Sequence, residues 1–197
     1  SSAASDVYKR QITGCLMPGV AEANTVHGPG AAATGSGSTA VGDNTKAKGN
    51  NAVAVGPLTN ADGENSLAAG YDAKTGSTAE NSVAIGRGAR ALGQKRAGDQ
   101  FTASTIAIGN VATAAENGDI VIGRQAKSTV SEYHTHPQGG NGAVVMGAEA
   151  ASYGSRGDVV IGAGAEACLL RKDVTAPADK PEYSQGVAIG SRAKVYG

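Results

Sequence analysis

A short, mostly apolar triplet closed by glycine recurs down this chain. It reads VAVG at Val53–Gly56, VAIG at Val83–Gly86, IAIG at Ile106–Gly109 and VVIG at Val159–Gly162. Taking that glycine as position zero, the copies fall at Gly42, Gly56, Gly70, Gly86, Gly109, Gly123, Gly147, Gly162 and Gly190, at spacings of 14, 14, 16, 23, 14, 24, 15 and 28 residues. The unit is therefore 14 residues long, with insertions. A fixed short period is the signature of a solenoid, in which each unit is stabilised by stacking on its neighbours. Fourteen residues are too few for a helix, a strand and two turns, but they accommodate two short strands and two turns. An all-β solenoid of nine coils is expected, about 40 Å long at about 4.8 Å per coil.

The columns of the repeat assign the faces. Position −3 runs Thr39, Val53, Leu67, Val83, Ile106, Ile120, Val144, Val159, Val187, and position −1 runs Val41, Val55, Ala69, Ile85, Ile108, Ile122, Met146, Ile161, Ile189. Two residues apart on a strand, these share a side, and their bulk predicts that they form the interior. Position −2 then points outward. It runs Ala40, Ala54, Ala68, Ala84, Ala107, Val121, Val145, Val160, Ala188, small and apolar where a water-facing strand carries polar residues. An apolar stripe on a rod marks an interface, and small even side chains suit close approach of identical rods, so this column is the expected homotrimer interface.

In the second strand, positions +3 and +5 are small and face inward, while +4 is mostly polar and faces water. The +4 column includes Lys46, Lys74, Arg90, Lys127 and Lys194, a ladder of cations that is the candidate ligand-binding surface. Stacked about 4.8 Å apart, such charges give many weak contacts.

Composition excludes several classes. Net charge is zero and Lys and Arg are scattered singly, which argues against a nucleic-acid surface. No apolar run is long enough to span a membrane as a helix. The 30 glycines follow no strict G-X-Y period, which excludes collagen. Cys15 and Cys168 are far apart, form no CxxC and are read as free thiols. Residues 1–11, SSAASDVYKRQ, share nothing with the repeat; they look like translated sequencing-adapter sequence and are set aside. Residues 12–37 form an N-terminal segment in which Ile12–Cys15 resembles a lipobox and Ala21–Ala23 a small-residue cleavage site, the remnant of an export signal or a disordered start. The repeat domain is assigned to residues 38–197.

NSVAIG at Asn81–Gly86, NSLAAG at Asn65–Gly70 and the A-x-A-x-G that follows at Ala89–Gly93 resemble the head repeats of trimeric autotransporter adhesins, the YadA-like heads. The resemblance covers about Ser38 to Gly197. It implies a left-handed parallel β-roll, three chains in one head, display on the outer face of a bacterial outer membrane, and attachment to extracellular matrix such as collagen or fibronectin, or to a surface glycan. It also implies a coiled-coil stalk and a membrane β-barrel beyond this segment, the chain's connection to a membrane. Similar repeats occur in phage tail fibres, so a virion fibre or a structural spacer is the alternative. Further along, the motif shifts to GDIVIG at Gly118–Gly123 and GDVVIG at Gly157–Gly162, a departure from the family pattern.

Three insertions, 94–103, 129–141 and 169–184, interrupt the stack, and insertions in solenoids leave at turns. The second holds His134 and His136, two apart in YHTHP, the weak candidates for a metal site; no Cys or further His completes a ligand set. No nucleophile–base or acid–base constellation is present, so neither catalysis nor a cofactor is expected. IGRGAR and IGAGAE each fit one hexad of the left-handed β-helical acyltransferases, but those enzymes need uninterrupted hexads on a longer, three-sided coil. An ice-binding solenoid needs a flat Thr array, and the outward column here bears Lys, Arg and Asn.

Overall fold

Two turns with fixed backbone demands close each coil. The structure, a computed structural model, describes residues 24–94, 104–129, 142–153, 157–169 and 186–196. At position zero every glycine has φ between 119° and 146°, a region that residues with a Cβ rarely adopt. A Cβ on Gly109 would also lie 2.3 Å from the carbonyl oxygen of Gly123 in the next coil. Two residues on, Asn44, Leu58, Asp72, Val111, Gln125, Glu149 and Arg192 sit in the left-handed region at φ 53–60°. The second turn has its own left-handed residue at position −5. It is Gly37, Asn51, Asn65 and Asn81 in the early coils and Gly118, Gly142 and Gly157 in the later ones. Asn and Gly are the residue types that occupy this conformation most readily. The change from NSVAIG to GDVVIG therefore preserves the turn.

Between the turns, each coil gives one three-residue strand to a first sheet and one strand of two to five residues to a second. Each sheet has ten strands, and neighbours in a sheet come from successive coils. All pairings are parallel, and the register holds throughout the first sheet: Ala40 pairs with Ala54, Ala84 with Ala107 and Val160 with Ala188. In the second sheet it shifts between Ala91 and Gln94 and between Glu166 and Leu169. Inter-coil bonds such as Thr39 N–H to Ala52 O and Gly56 N–H to Val41 O, both 2.8 Å, satisfy the backbone along the axis. Among the described residues there is no helix. The architecture is a parallel β-roll, as the 14-residue period predicts.

The stack begins earlier than the sequence reading placed it. Thr25–His27 pairs with Thr39–Val41, and Ala32–Ala33 with Lys46–Ala47. A tenth coil, with its zero glycine at Gly28, thus lies within the segment assigned to residues 12–37. Its triplet, Thr-Val-His, is not apolar, which hid it.

The face assignment is corrected. Position −2, expected as the outward trimer interface, is the core. Ala40, Ala54, Ala68, Ala84, Ala107, Val121, Val145, Val160 and Ala188 are all buried within a single chain. The −3 and −1 columns, expected inside, point out: Ile85 is 38 % exposed beside Ala84 at 0 %. The reason is room. Short strands joined by tight turns hold the sheets close, and the space between them accepts Ala, Ser, Thr or Val but not a column of Ile and Leu. Position −4 also lines the interior, with Ser38, Ser66, Ser82, Thr105, Asp119 and Asp158 all buried. Positions +3 and +5 face inward as expected.

Five coils trade interior volume between their two strands, while the coils at Gly70, Gly86, Gly109 and Gly190 carry Ala at both −2 and +3. Thr45 and Thr59 at +3 accompany Ala40 and Ala54 at −2, whereas Ala126, Ala150 and Ala165 accompany Val121, Val145 and Val160. A methyl-sized gain on one strand is matched by a loss on the other, as a close-packed interior requires. The threonine hydroxyls are not orphaned. Thr45 Oγ1 donates to Gly56 O at 2.6 Å, and Thr59 Oγ1 donates to Gly70 O.

Candidate interaction surfaces

The outer face of the first sheet is apolar from the Gly56 coil to the Gly190 coil, below Thr25, His27 and Thr39 of the first two coils. The −3 and −1 columns place Val53, Leu67, Val83, Ile106 and Ile120 beside Val55, Ile85, Ile108, Ile122 and Met146, with no charged side chain between coils Gly42 and Gly190. Each triplet strand stacks its large side chains directly over those of the next, as in Ile106 on Ile120 on Val144. The result is a continuous band about 40 Å long. Contiguous apolar surface on this scale is characteristic of an interface. Sequence reasoning found an apolar stripe but put it on the wrong columns.

The first-turn edge adjoins this face. Leu58, Tyr71 and Val111 are exposed there, at 42 %, 51 % and 46 %. Leu58 and Val111 hold left-handed backbone, and a β-branched side chain pays for that conformation in steric strain. No insertion enters this edge, because every first turn has the same length; all three insertions leave at the second turn.

The outer face of the second sheet carries the +4 column in register, running Lys46, Asn60, Lys74, Arg90, Thr113, Lys127, Ala151, Glu166, Lys194. The five cations expected as a ladder all lie on this face, but carboxylates and a ring interrupt it. Asp72 lies 2.8 Å from Lys74 Nζ and 4.0 Å from Arg90. The hydrogen bond from Lys74 holds the Asp72 carboxyl below its ordinary range against some desolvation, and the charges of Lys74 and Arg90 add to that. Lys194 pairs with Glu166 at 3.0 Å, and Lys127 lies 5.1 Å above the Tyr153 ring. Exposed pairs of this kind contribute little to stability. Their consequence is electrostatic: the face is mixed in sign. Thr113 and Ala151 further dilute the charge, and Ala151 is buried.

The described residues include three buried carboxylates that the repeat pattern does not predict, Glu116, Asp119 and Asp158. Asp119 Oδ2 accepts from Ser128 Oγ at 2.5 Å and from Glu116 N–H at 2.9 Å, and its Oδ1 accepts from Ala143 N–H at 3.0 Å. Burial raises its pKa above the ordinary value, opposed by these hydrogen bonds. Asp158 accepts from Ser152 Oγ at 2.6 Å and from Gly186 N–H at 2.8 Å. The available signal for Asp119 and Asp158 is an acidic residue in a −4 column otherwise made of small or uncharged residues. Among the described residues, no three His, Cys, Asp or Glu side chains are grouped to hold a metal. His134 and His136 lie outside the described residues.

Comparison with known proteins places the early coils. The family profile described as YadA head domain repeat (2 copies) matches in five overlapping placements, residues 28–45, 33–59, 47–73, 61–89 and 77–95. These are the coils from Gly28 to Gly86, ending where the first insertion begins. No curated protein matches the chain. YadA heads are structural parts of surface-exposed bacterial autotransporter adhesins and do not form an enzyme family. Residues 28–95 match the YadA head domain repeat, and the later coils continue the same two parallel sheets.

Proposed function

We propose that this chain is one third of a homotrimeric adhesin head, carried on a bacterial surface, which attaches to extracellular matrix or glycan by binding and not by catalysis. The observation that supports it is the apolar outer face of the first sheet, unbroken from the Gly56 coil to the Gly190 coil, in a chain whose residues 28–95 match the YadA head repeat. A single rod leaves Val55, Ile85, Met146 and Ile161 partly in water along that span. Three rods around a common axis bury all of these at once in a closed assembly. The first-turn edges, free of insertions and bearing Leu58, Tyr71 and Val111, meet neighbouring copies at the corners. The second-turn edges with the insertions then face outward.

The test separates the two candidate columns. Ile85→Glu with Ile108→Glu puts charge on the outward face and leaves the core intact; light scattering should show monomer with an unchanged circular-dichroism spectrum. A variant that stays trimeric would remove this face from the interface.

Attachment rests on repetition. Each exposed contact on the second sheet contributes perhaps 0.2–1 kcal/mol, and three copies per head with many heads per cell raise the effective concentration. Because Asp72 and Glu166 already engage Lys74, Arg90 and Lys194, salt sensitivity should be modest and should fall on Lys46 and Lys127. Retention of the trimer on collagen, fibronectin and sulfated-glycan surfaces, at low and high salt, measures this. Retention should survive Lys74→Ser with Arg90→Ser better than Lys46→Ser with Lys127→Ser. No retention on any surface would favour a structural spacer, in a bacterial adhesin or a phage fibre.

A further inference from the structure

The insertions are placed regularly. Coil spacings of 23, 24 and 28 residues occur at Gly86–Gly109, Gly123–Gly147 and Gly162–Gly190, with spacings of 14 and 15 between them. Along the stack this is every second junction, about 9.6 Å apart, always on the second-turn edge.

At each of these junctions the chain returns through the same contact. The N–H of the −4 residue of the returning coil donates to the −4 side chain of the coil before the insertion. Thr105 N–H donates to Ser82 Oγ at 2.9 Å, Ala143 N–H to Asp119 Oδ1 at 3.0 Å, and Gly186 N–H to Asp158 Oδ1 at 2.8 Å. All six residues are buried. Where the junction is regular, that N–H closes its own turn: Ala52 donates to Gly49 O at 3.2 Å and Asp119 to Glu116 O at 3.3 Å. The −4 hydroxyls of regular coils also turn inward on their own turn, with Ser38 and Ser66 donating to Gly35 O and Gly63 O at 2.6 Å. One regular junction makes both contacts. Ser38 N–H is shared between Gly35 O at 3.3 Å and Asn24 Oδ1 at 3.1 Å, so the inter-coil geometry is available anywhere in the stack.

The choice of acceptor follows from chemistry. Serine both donates and accepts, whereas an ionised carboxylate only accepts, so it cannot make the donor contact of Ser38 and Ser66. Burying a carboxylate is costly unless it is fully hydrogen-bonded. Packing alone does not require it, since Ala and Ser fill the same column elsewhere. Here each carboxylate is held on its far side by a serine at +5, Ser128 or Ser152, in a column that is otherwise mostly alanine.

We propose that Ser82, Asp119 and Asp158 are return clamps. Each seats the first buried N–H after an insertion, and together they make the second-turn edge a row of ports. Nine or more extra residues can leave the roll at a port without shifting the register of the coils beyond. The clamp acts within one chain and stands apart from trimerisation and adhesion.

Hydrogen exchange on the full chain tests it. In Asp119→Ala, the Ala143 and Val144 amides should exchange at least tenfold faster while Val53 and Val83 are unchanged. In the same variant with residues 131–140 deleted, which restores a 14-residue spacing, Ala143 should regain its protection. An equal loss with and without the insertion, or a loss spread evenly over all coils, would overturn the clamp. If Asp119→Ala does not fold, Ser82→Ala reads the same effect at Thr105. A gain-of-function arm uses an uninterrupted junction: ten Gly/Ser residues inserted between Lys48 and Gly49 should lower protection at Ala52. Adding Ser38→Asp with Ala47→Ser should recover at least half of it, and no recovery would also overturn the proposal.

Discussion

The coils from Gly28 to Gly70 and those from Gly109 to Gly190 share one backbone and fill it by different means. The early coils keep a 14-residue step, match the YadA head repeat and, from Gly42 to Gly70, put Gly or Asn at −5, Ser or Ala at −4 and Ala at −2. Of the five late coils, three put Gly at −5 and Val at −2 and two put Asp at −4; they carry two of the three insertions, with the remaining one at their boundary. Late choices have early counterparts that meet the same demand: left-handed backbone at −5, a satisfied polar group at −4, and one larger side chain shared between −2 and +3, Thr45 or Thr59 early and Val121, Val145 or Val160 late. The roll is therefore specified by constraints on columns, and a family pattern written as residues fades where the constraints are met by other residues.

The largest effect should ignore this divide. Gly56→Ala and Gly123→Ala each place a Cβ within 2.6 Å of the next coil's carbonyl oxygen, at φ 119° and 146°. Each should cost about 3 kcal/mol or more, read as a drop in thermal midpoint, because strain and overlap add. Gly190→Ala, with nothing within 4 Å of its Cβ, should cost clearly less. A Gly56→Ala variant as stable as the parent would mean that the early turns do not share the late geometry.

Next comes the volume trade. Val121→Ala should destabilise by about 2 kcal/mol in urea, from lost burial and a residual cavity. Val121→Ala with Ala126→Thr rewrites a late coil in the early style and should recover more than half of that loss. An additive loss would show that the two columns do not share one space.

A smaller difference should appear with pH. Burial raises the Asp119 pKa above the unfolded value of about 3.8, so the folded state holds the proton more tightly. Its contribution to stability is fully present below that value and falls as pH rises through the folded pKa. Late-coil amides should then be better protected at pH 4 than at pH 7 relative to early ones, and Asp119→Asn should flatten that trend. Asp72, with its pKa lowered, works in the opposite sense: its contribution is present at neutral pH and is lost on acidification. Asp72→Asn, which leaves Lys74 beside Arg90 unbridged, should cost only a few tenths of a kcal/mol at low salt and nothing measurable at high salt.

The sequence conveyed the period, the two strands per coil, the +3 and +5 interior columns and the polar +4 column, because these follow from alternation and from glycine. It misassigned the triplet strand because alternation says that −3 and −1 share a side but not which side is inside. Bulk was used to decide, a rule suited to wide cores. The deciding fact was already present in the letters: −2, +3 and +5 are all small, and a short coil can only face its small columns together. The first coil escaped notice because Thr25 and His27 lack the expected apolar character. Asp119 and Asp158 were seen as a shift in motif, yet their role depends on contacts 24 and 28 residues away, which no local pattern carries.

The glycine at position zero also limits how such a head changes size. A Cβ there would strike the carbonyl of the coil above at nearly every level, so the stack has no slack along its axis. Its height cannot be tuned by adjusting a turn. It changes only by whole coils, in steps of about 4.8 Å. Gain or loss of one complete 14-residue unit, as unequal exchange between near-identical repeats would produce, makes the head a ruler with fixed graduations, and reach from the surface becomes a count of units.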